Sequence, residues 1–198
     1  MTTYPAVPTS AYPVRYEQQP AIERNRLTVF FRLFMVIPHM IVAFFYMLAA
    51  GVVVFIAWFA IVITGRYPEG MYNFVAGALR FNTRVNSYFY LVTDEFPPFD
   101  GAEHPEYPVQ LHIPAQPQES YSRLTTFFRL FLMIPVVILL YIFNIWVQAV
   151  GIAIWVVGVI MGQTSQGLVG AHRFPLAYSA RAGAYGCLLV DRWPALED

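Results

Sequence analysis

The stretch LFMVIPHMIVAFFYMLAAGVVVFIAWFAIVITG, residues 33–65, contains no Asp, Glu, Lys or Arg. It has a sibling of equal length in LFLMIPVVILLYIFNIWVQAVGIAIWVVGVIMG, residues 130–162. About 20 apolar residues already suffice to cross a hydrocarbon core, so runs like these read as segments that live in lipid. Each is the centre of a larger repeat. Arg26-Leu27-Thr28 and Phe30-Phe31-Arg32-Leu33-Phe34 return 97 positions later as Arg123-Leu124-Thr125 and Phe127-Phe128-Arg129-Leu130-Phe131. Gly65, Gly70, Arg84, Tyr88, Leu91, Asp94 and Pro97 return as Gly162, Gly167, Arg181, Tyr185, Leu188, Asp191 and Pro194. Self-similarity at one fixed offset means one structural unit used twice. The fold class that follows is an all-α integral membrane protein of two tandem repeats.

Working outward, residues 1–22 form a Pro- and Tyr-rich arm, 23–98 the first membrane repeat, 99–122 a Pro-rich linker and 123–198 the second repeat. Proline at this density disfavours helix. Tyr12-Pro13-Val14 recurs as Tyr107-Pro108-Val109, so the arm belongs to the repeat, and a short strand-like piece is expected to lie across its own unit. Within each repeat the pattern predicts an amphipathic entry helix, from Glu23 to Ile37 in the first copy, then the apolar run, then an interfacial amphipathic helix, from Glu69 to Val92 in the first copy.

The run itself admits two readings. A straight helix of that length spans about 50 Å, against a hydrocarbon core of about 30 Å. A hairpin turning near Gly51 and near Asn144 to Gly151 keeps the flanking arginines on one side, as the positive-inside tendency prefers. It also puts Asn144 and Gln148 near headgroups. We expect the hairpin, with a single tilted span as the alternative.

Charged residues make up 12% of the chain and the formal net charge is zero, which gives no nucleic-acid signal. Every cation is Arg. Arg26, Arg32, Arg66, Arg80, Arg84, Arg123, Arg129 and Arg181 flank the apolar runs and are expected to meet lipid headgroups, their stems snorkelling. Arg84 with Asp94, and Arg181 with Asp191, stand ten residues apart and are the candidate structural ion pairs, made between neighbouring helices, copies or subunits. His39 and His172 read as packing residues, and His104 and His112 lack Cys, Asp or Glu at metal-ligand spacing. No metal and no cofactor are expected. The lone Cys187 excludes an internal disulfide. Nucleophile elbows, phosphate-cradling glycine loops and HExxH signatures are absent from the sequence, so no enzyme is expected.

The string Thr64-Gly65-Arg66-Tyr67-Pro68, followed by Gly70, Phe74, Gly77, Arg80, Arg84-Val85-Asn86, Tyr88, Thr93-Asp94 and Pro97-Pro98-Phe99, resembles a bacterial, mainly actinobacterial, membrane-domain family of unknown function. Here it stands as a tandem duplication. The resemblance implies no activity. Copy two departs at Gln163-Thr164-Ser165 and at Ala177, which replace Arg66-Tyr67-Pro68 and Arg80.

The expected function is non-enzymatic: a structural, scaffold or membrane-shaping homo-oligomer in the cell membrane, multi-pass or hairpin-inserted, with cytoplasmic termini. Its partners are membrane lipids and further copies of itself, since small residues such as Gly70, Gly77, Gly158 and Gly162 permit close helix packing. The alternative is an accessory subunit of a larger membrane complex, and a small transporter or channel ranks below both.

Overall fold

The structure, a computed structural model, describes residues 12–19 and 25–196. Among these residues the elements run β1 (Arg15–Gln18), α1 (Arg26–Thr64), α2 (Glu69–Phe89), β2 (Val109–His112), α3 (Arg123–Phe127), α4 (Arg129–Met161), α5 (Gln166–Gly170) and α6 (Arg173–Gly186). Most of the arm over 1–22, and Glu23 and Arg24 of the entry helix, lie outside the described residues.

Neither apolar run turns back, which corrects the hairpin expectation. Helix α1 is continuous for 39 residues and α4 for 33, about 58 and 50 Å at 1.5 Å per residue. The reason is local. Gly51 sits between Ala49-Ala50 and Val52-Val53-Val54, none of which can take up the carbonyls and amides that a turn would free. In apolar surroundings each unsatisfied group costs several kcal/mol. Asn144 and Gln148 need no headgroup either, because Gln148 Nε2 donates to Asn144 Oδ1 one turn away. Both helices also run through their prolines, Pro38 and Pro135.

The helix ends obey ordinary capping chemistry. Asn25 accepts from Leu27 N at 3.0 Å to start α1. Gly65 and Gly162 close α1 and α4 at φ 75° and 71°, a backbone that glycine adopts without strain.

The face of α1 that packs inward is a seven-residue stripe. Val29, Val36, Ala43, Ala50 and Ala57 are all buried, with Arg32 and His39 on the intervening positions. This is the seam spacing of a coiled coil, and its alanines let α2 approach closely. Only 17% of the most apolar window of α1 and 11% of that of α4 is buried. Both helices are long and apolar enough to cross a membrane. Phe34, Phe44, Phe45 and Phe55 on α1, and Phe131, Tyr141 and Ile152 on α4, lie open.

The two repeats are related by a pseudo-two-fold axis. Strands β1 and β2 pair antiparallel with Tyr16 opposite Leu111, which are equivalent positions of the repeated arm. The long helices run antiparallel. Arg26 Nη2 donates to Met161 O at 3.3 Å, and Arg123 reciprocally sits against Gly65. Phe30 stacks on Trp155 and Phe127 on Trp58, again equivalent pairs. Each guanidinium thus meets the carbonyl-rich C-terminal end of the other repeat's helix, where a cation is favoured.

Three layers stack along this axis. The strands lie on α2 and α6, and these pack on α1 and α4. The arms cross over: β1 packs on α6 and β2 on α2, so each strand lies mainly on the sibling unit and not, as the sequence suggested, on its own. Helix α2 differs from expectation too. Gly77, Arg84 and Ser87 on its small and polar face are buried, because the linker covers Gly77 and Arg84 and Tyr16 of β1 meets Ser87. Gly101 lies so close on Gly77 that a Cβ at Gly101 would stand 2.5 Å from the Gly77 Cα. In copy two the corresponding helix is broken into α5 and α6, between Gly170 and Pro175.

Candidate functional site

The most elaborate polar constellation occurs twice, at the base of each repeat. In copy one Arg32 projects from the buried stripe of α1 and is 1% exposed. Its Nη1 donates to the carbonyls of Tyr88 at 3.0 Å and Thr93 at 2.6 Å, and its Nη2 donates to Asp94 Oδ1 at 2.6 Å. Its guanidinium carbon lies 4.3 Å from the centre of the Tyr88 ring. In copy two Arg129 does the same to Tyr185 O, Val190 O, Asp191 Oδ1 and the Tyr185 ring, at 3.2, 3.1, 2.5 and 3.9 Å.

The loop that wraps each guanidinium has a defined cause. After α2, Leu91 takes φ 61°, and after α6, Leu188 takes φ 62°. Val92 N then reaches back to Ser87 O, and Leu189 N to Ala184 O, both at 2.9 Å. This is the Schellman ending with leucine where glycine is usual. A left-handed leucine costs about 1–2 kcal/mol. It is offset because the reversal delivers two carbonyls and a carboxylate to a desolvated arginine, and hydrogen bonds to a charged donor contribute about 1.5–3 kcal/mol each.

These clamps correct two expectations. Asp94 and Asp191 are bound by Arg32 and Arg129, not by Arg84 and Arg181. Arg84 instead donates to Asp100 O at 3.3 Å and to Ala102 O, and lies 3.7 Å from the Asp100 carboxylate. Arg181 donates to Ala195 O at 3.2 Å. All four of Arg32, Arg84, Arg129 and Arg181 are buried, so none meets lipid headgroups; a guanidinium this enclosed needs fixed protein acceptors. Arg80 pairs with Glu103 at 2.8 Å. Arg26, Arg66 and Arg123 are exposed at the ends of the long helices.

Around Arg84 the linker builds a charged cluster. His104 Nε2 lies 2.8 Å from Asp100 Oδ1 and Nδ1 lies 3.1 Å from Glu106 Oε1. Hydrogen bonding to Asp100, then to Glu106, raises the His104 pKa above its ordinary value, and His104 in turn holds the Asp100 carboxyl low. His39 is buried between the Phe96 and Phe99 rings with Nε2 2.8 Å from Pro97 O. His172 Nε2 lies 3.1 Å from Val147 O. Among the described residues no three of His, Cys, Asp and Glu converge as a metal site.

The crossed arms repeat the same logic. Tyr12 OH donates to Arg192 O and Tyr107 OH to Glu95 O, equivalent acceptors, at 3.0 and 3.1 Å. Arg181 lies over the Tyr12 ring and Arg84 over the Tyr107 ring. Sequence reasoning had the recurring Tyr-Pro-Val signal but not its destination. Chemically, the Nη groups of the clamps point at fixed acceptors, and the arrangement fastens loops to helices.

No curated protein and no solved structure matches the chain. The profile of one family does, over residues 26–100 and again over 123–196. Each match begins at the arginine that opens a repeat and extends past the aspartate of its clamp. The chain therefore belongs to the family described as a domain of unknown function, DUF4389, and carries that domain twice.

Proposed function

We propose that the protein is an integral membrane protein embedded in one leaflet, where it acts without catalysis as a membrane-shaping scaffold. The observation that carries this reading is the segregation of its surface along the pseudo-two-fold axis. Large exposed apolar side chains cover α1 and α4. Exposed charges such as Glu17, Asp100, Glu103 and Glu106 occur on the strand and linker layer.

If α1 and α4 crossed the bilayer as an antiparallel pair, the axis would lie in the membrane plane. The charged strand layer would then face hydrocarbon at mid-depth, a cost of at least about 2.5–3.5 kcal/mol per charge. Laying the axis along the membrane normal avoids this. The long helices then lie flat among the acyl chains, α2 and α6 sit near the headgroup boundary, and the strands face water. The arginines fall on one side, which by the positive-inside tendency is cytoplasmic. Tyr12 and Arg192 are hydrogen-bonded neighbours, so both described chain ends share that side.

Two flat helices of about 58 and 50 Å, each about 10 Å wide, add roughly 1,100 Å² to one leaflet. Such one-sided expansion favours curvature. Reconstituted into liposomes, the protein is expected to convert spheres to tubules or smaller vesicles, with the effect rising with protein-to-lipid ratio by electron microscopy. Vesicles that stay spherical and unchanged in size with the protein fully inserted would overturn the shaping role.

A further inference from the structure

The two corners at which the chain leaves the long helices are equivalent under the pseudo-two-fold axis, yet they differ in charge. At the first corner Arg123 lies against the turn that ends α1. A Cβ at Gly65 would stand 3.4 Å from Arg123 Nε, and Tyr121 N donates to Gly65 O at 2.9 Å. Arg66 is the residue after that glycine. Arg123 Nε is therefore no more than about 9 Å from the Arg66 Cα, within the reach of an arginine side chain. Both arginines are exposed, and neither guanidinium makes a hydrogen bond or an ion pair among the described residues. The neighbouring carboxylate, Asp191, accepts from Ser122 N and is already held by Arg129.

At the second corner Gln163 stands in the place of Arg66. Arg26, the counterpart of Arg123, commits Nη2 to Met161 O at 3.3 Å. One corner thus presents two open guanidiniums, and the other presents, among the described residues, one that is already engaged. The first corner also adjoins apolar surface. Ile63, three residues before Arg66, and Leu124, next to Arg123, are each 70% exposed. Arg66 lies on the connection from α1 to α2, and Arg123 opens α3 after the linker that follows β2. Both therefore stand where the chain passes between the apolar layer and the polar one.

We propose that Arg66 and Arg123 together hold the phosphate of one anionic phospholipid of the phosphatidylglycerol type, its acyl chains running over Ile63 and Leu124. Guanidinium N–H groups pair with phosphate oxygens through short, charge-assisted hydrogen bonds, often two at a time. A phosphodiester carries one negative charge, so one positive charge is left over when it docks on the two arginines. That charge repels the ammonium of phosphatidylcholine, whereas the glycerol of phosphatidylglycerol is neutral, and the site selects the lipid with a net negative charge. Free phosphate has no acyl chains to cover Ile63 and Leu124. The proposal deepens the membrane reading and rests on it, because the lipid arrives from the bilayer.

The test titrates full-length protein in maltoside micelles with dioctanoyl-phosphatidylglycerol, dioctanoyl-phosphatidylcholine and inorganic phosphate. Native mass spectrometry reads the number bound and calorimetry the affinity. One phosphatidylglycerol is expected to bind saturably, with phosphatidylcholine and inorganic phosphate each at least tenfold weaker, and with affinity falling as salt screens the exposed charges. Arg66→Gln, which installs the twin's residue, and Arg123→Gln are each expected to weaken binding at least tenfold, while Arg26→Gln changes it less than twofold. If Arg123→Gln fails to fold, Arg66→Gln carries the test, since its side chain is exposed and makes no bond among the described residues. The proposal is overturned by equal affinity for phosphatidylcholine, by phosphate binding as tight as the lipid, by undiminished affinity in Arg66→Gln, or by an equal loss in Arg26→Gln. Because micelles impose no leaflet, such a failure leaves the shaping role and the flat orientation of α1 and α4 standing, and liposomes that keep their shape would leave this site standing.

Discussion

Replacing Asp94 with Asn tests the clamp and the symmetry together. The substitution keeps the shape and one acceptor but removes the counter-charge from Arg32, which is 1% exposed and 2.6 Å away. Breaking one partner of a buried pair costs about 3–5 kcal/mol. Asp94 keeps 25% of its side-chain surface exposed, which argues for about 3 kcal/mol, the low end of that range. For a chain of this size about 2–4 °C of melting temperature accompanies each kcal/mol, so Tm should fall by about 6–12 °C in thermal unfolding of detergent-solubilised protein. Asp191→Asn should do the same within a few degrees, because Arg129 holds Asp191 at 2.5 Å with the same two backbone acceptors. Arg32→Met leaves two buried carbonyls without their donor, so it should also destabilise. The double variant Arg32→Met/Asp94→Asn should cost less than the sum of the two, since the second change removes an interaction already lost. A Tm change under about 2 °C for both aspartate variants, or strict additivity in the double variant, would refute the clamp.

Further outcomes follow from single contacts. Gly101→Ala should destabilise by more than about 2 kcal/mol, as overpacking against backbone that cannot yield, because the new Cβ would stand 2.5 Å from the Gly77 Cα; circular dichroism melts check this. Gly65→Ala, at φ 75°, and the equivalent Gly162→Ala, at φ 71°, should each cost about 1–2 kcal/mol, since the neighbours their Cβ atoms would meet are the Arg123 and Arg26 side chains, which can move aside. His104 should titrate above its ordinary value by NMR, with Asp100→Asn lowering it. As its folded pKa is raised, the stabilisation from its protonated form is fully present below about pH 6.5 and is lost as pH rises through the folded value.

Much of this architecture is legible in the sequence because the repeat is. The offset of 97 residues that relates Arg26 to Arg123 also relates contacts between the long helices across the axis, Trp58 with Phe127 and Trp155 with Phe30. The helix ends at Gly65 and Gly162 were equally readable. The hairpin does not form because backbone satisfaction outweighs charge balance: keeping arginines on one side does not require a turn if the helices lie flat. Arg32 departs from expectation for a similar reason. Its charge suggested the headgroups, yet it stands three residues after Val29 and four before Val36, on the one stripe that α1 buries. Spacing was the better signal than polarity. The pairing of Asp94 with Arg32, across 62 residues, depends on Leu91 adopting a left-handed backbone that no residue type announces. The crossing of the arms is a packing result of the two-fold axis and has no signature in either arm alone.

The central claim is that α1 and α4 lie flat in one leaflet. Spin labels placed singly at Leu33, Val52 and Ile63 along α1, in bilayers and with Cys187 replaced by Ser, test it by depth-dependent quenching. All three should report similar depth, confined to a single leaflet. A depth that passes from one interface through the bilayer centre to the opposite interface, from Leu33 to Ile63, would contradict the account.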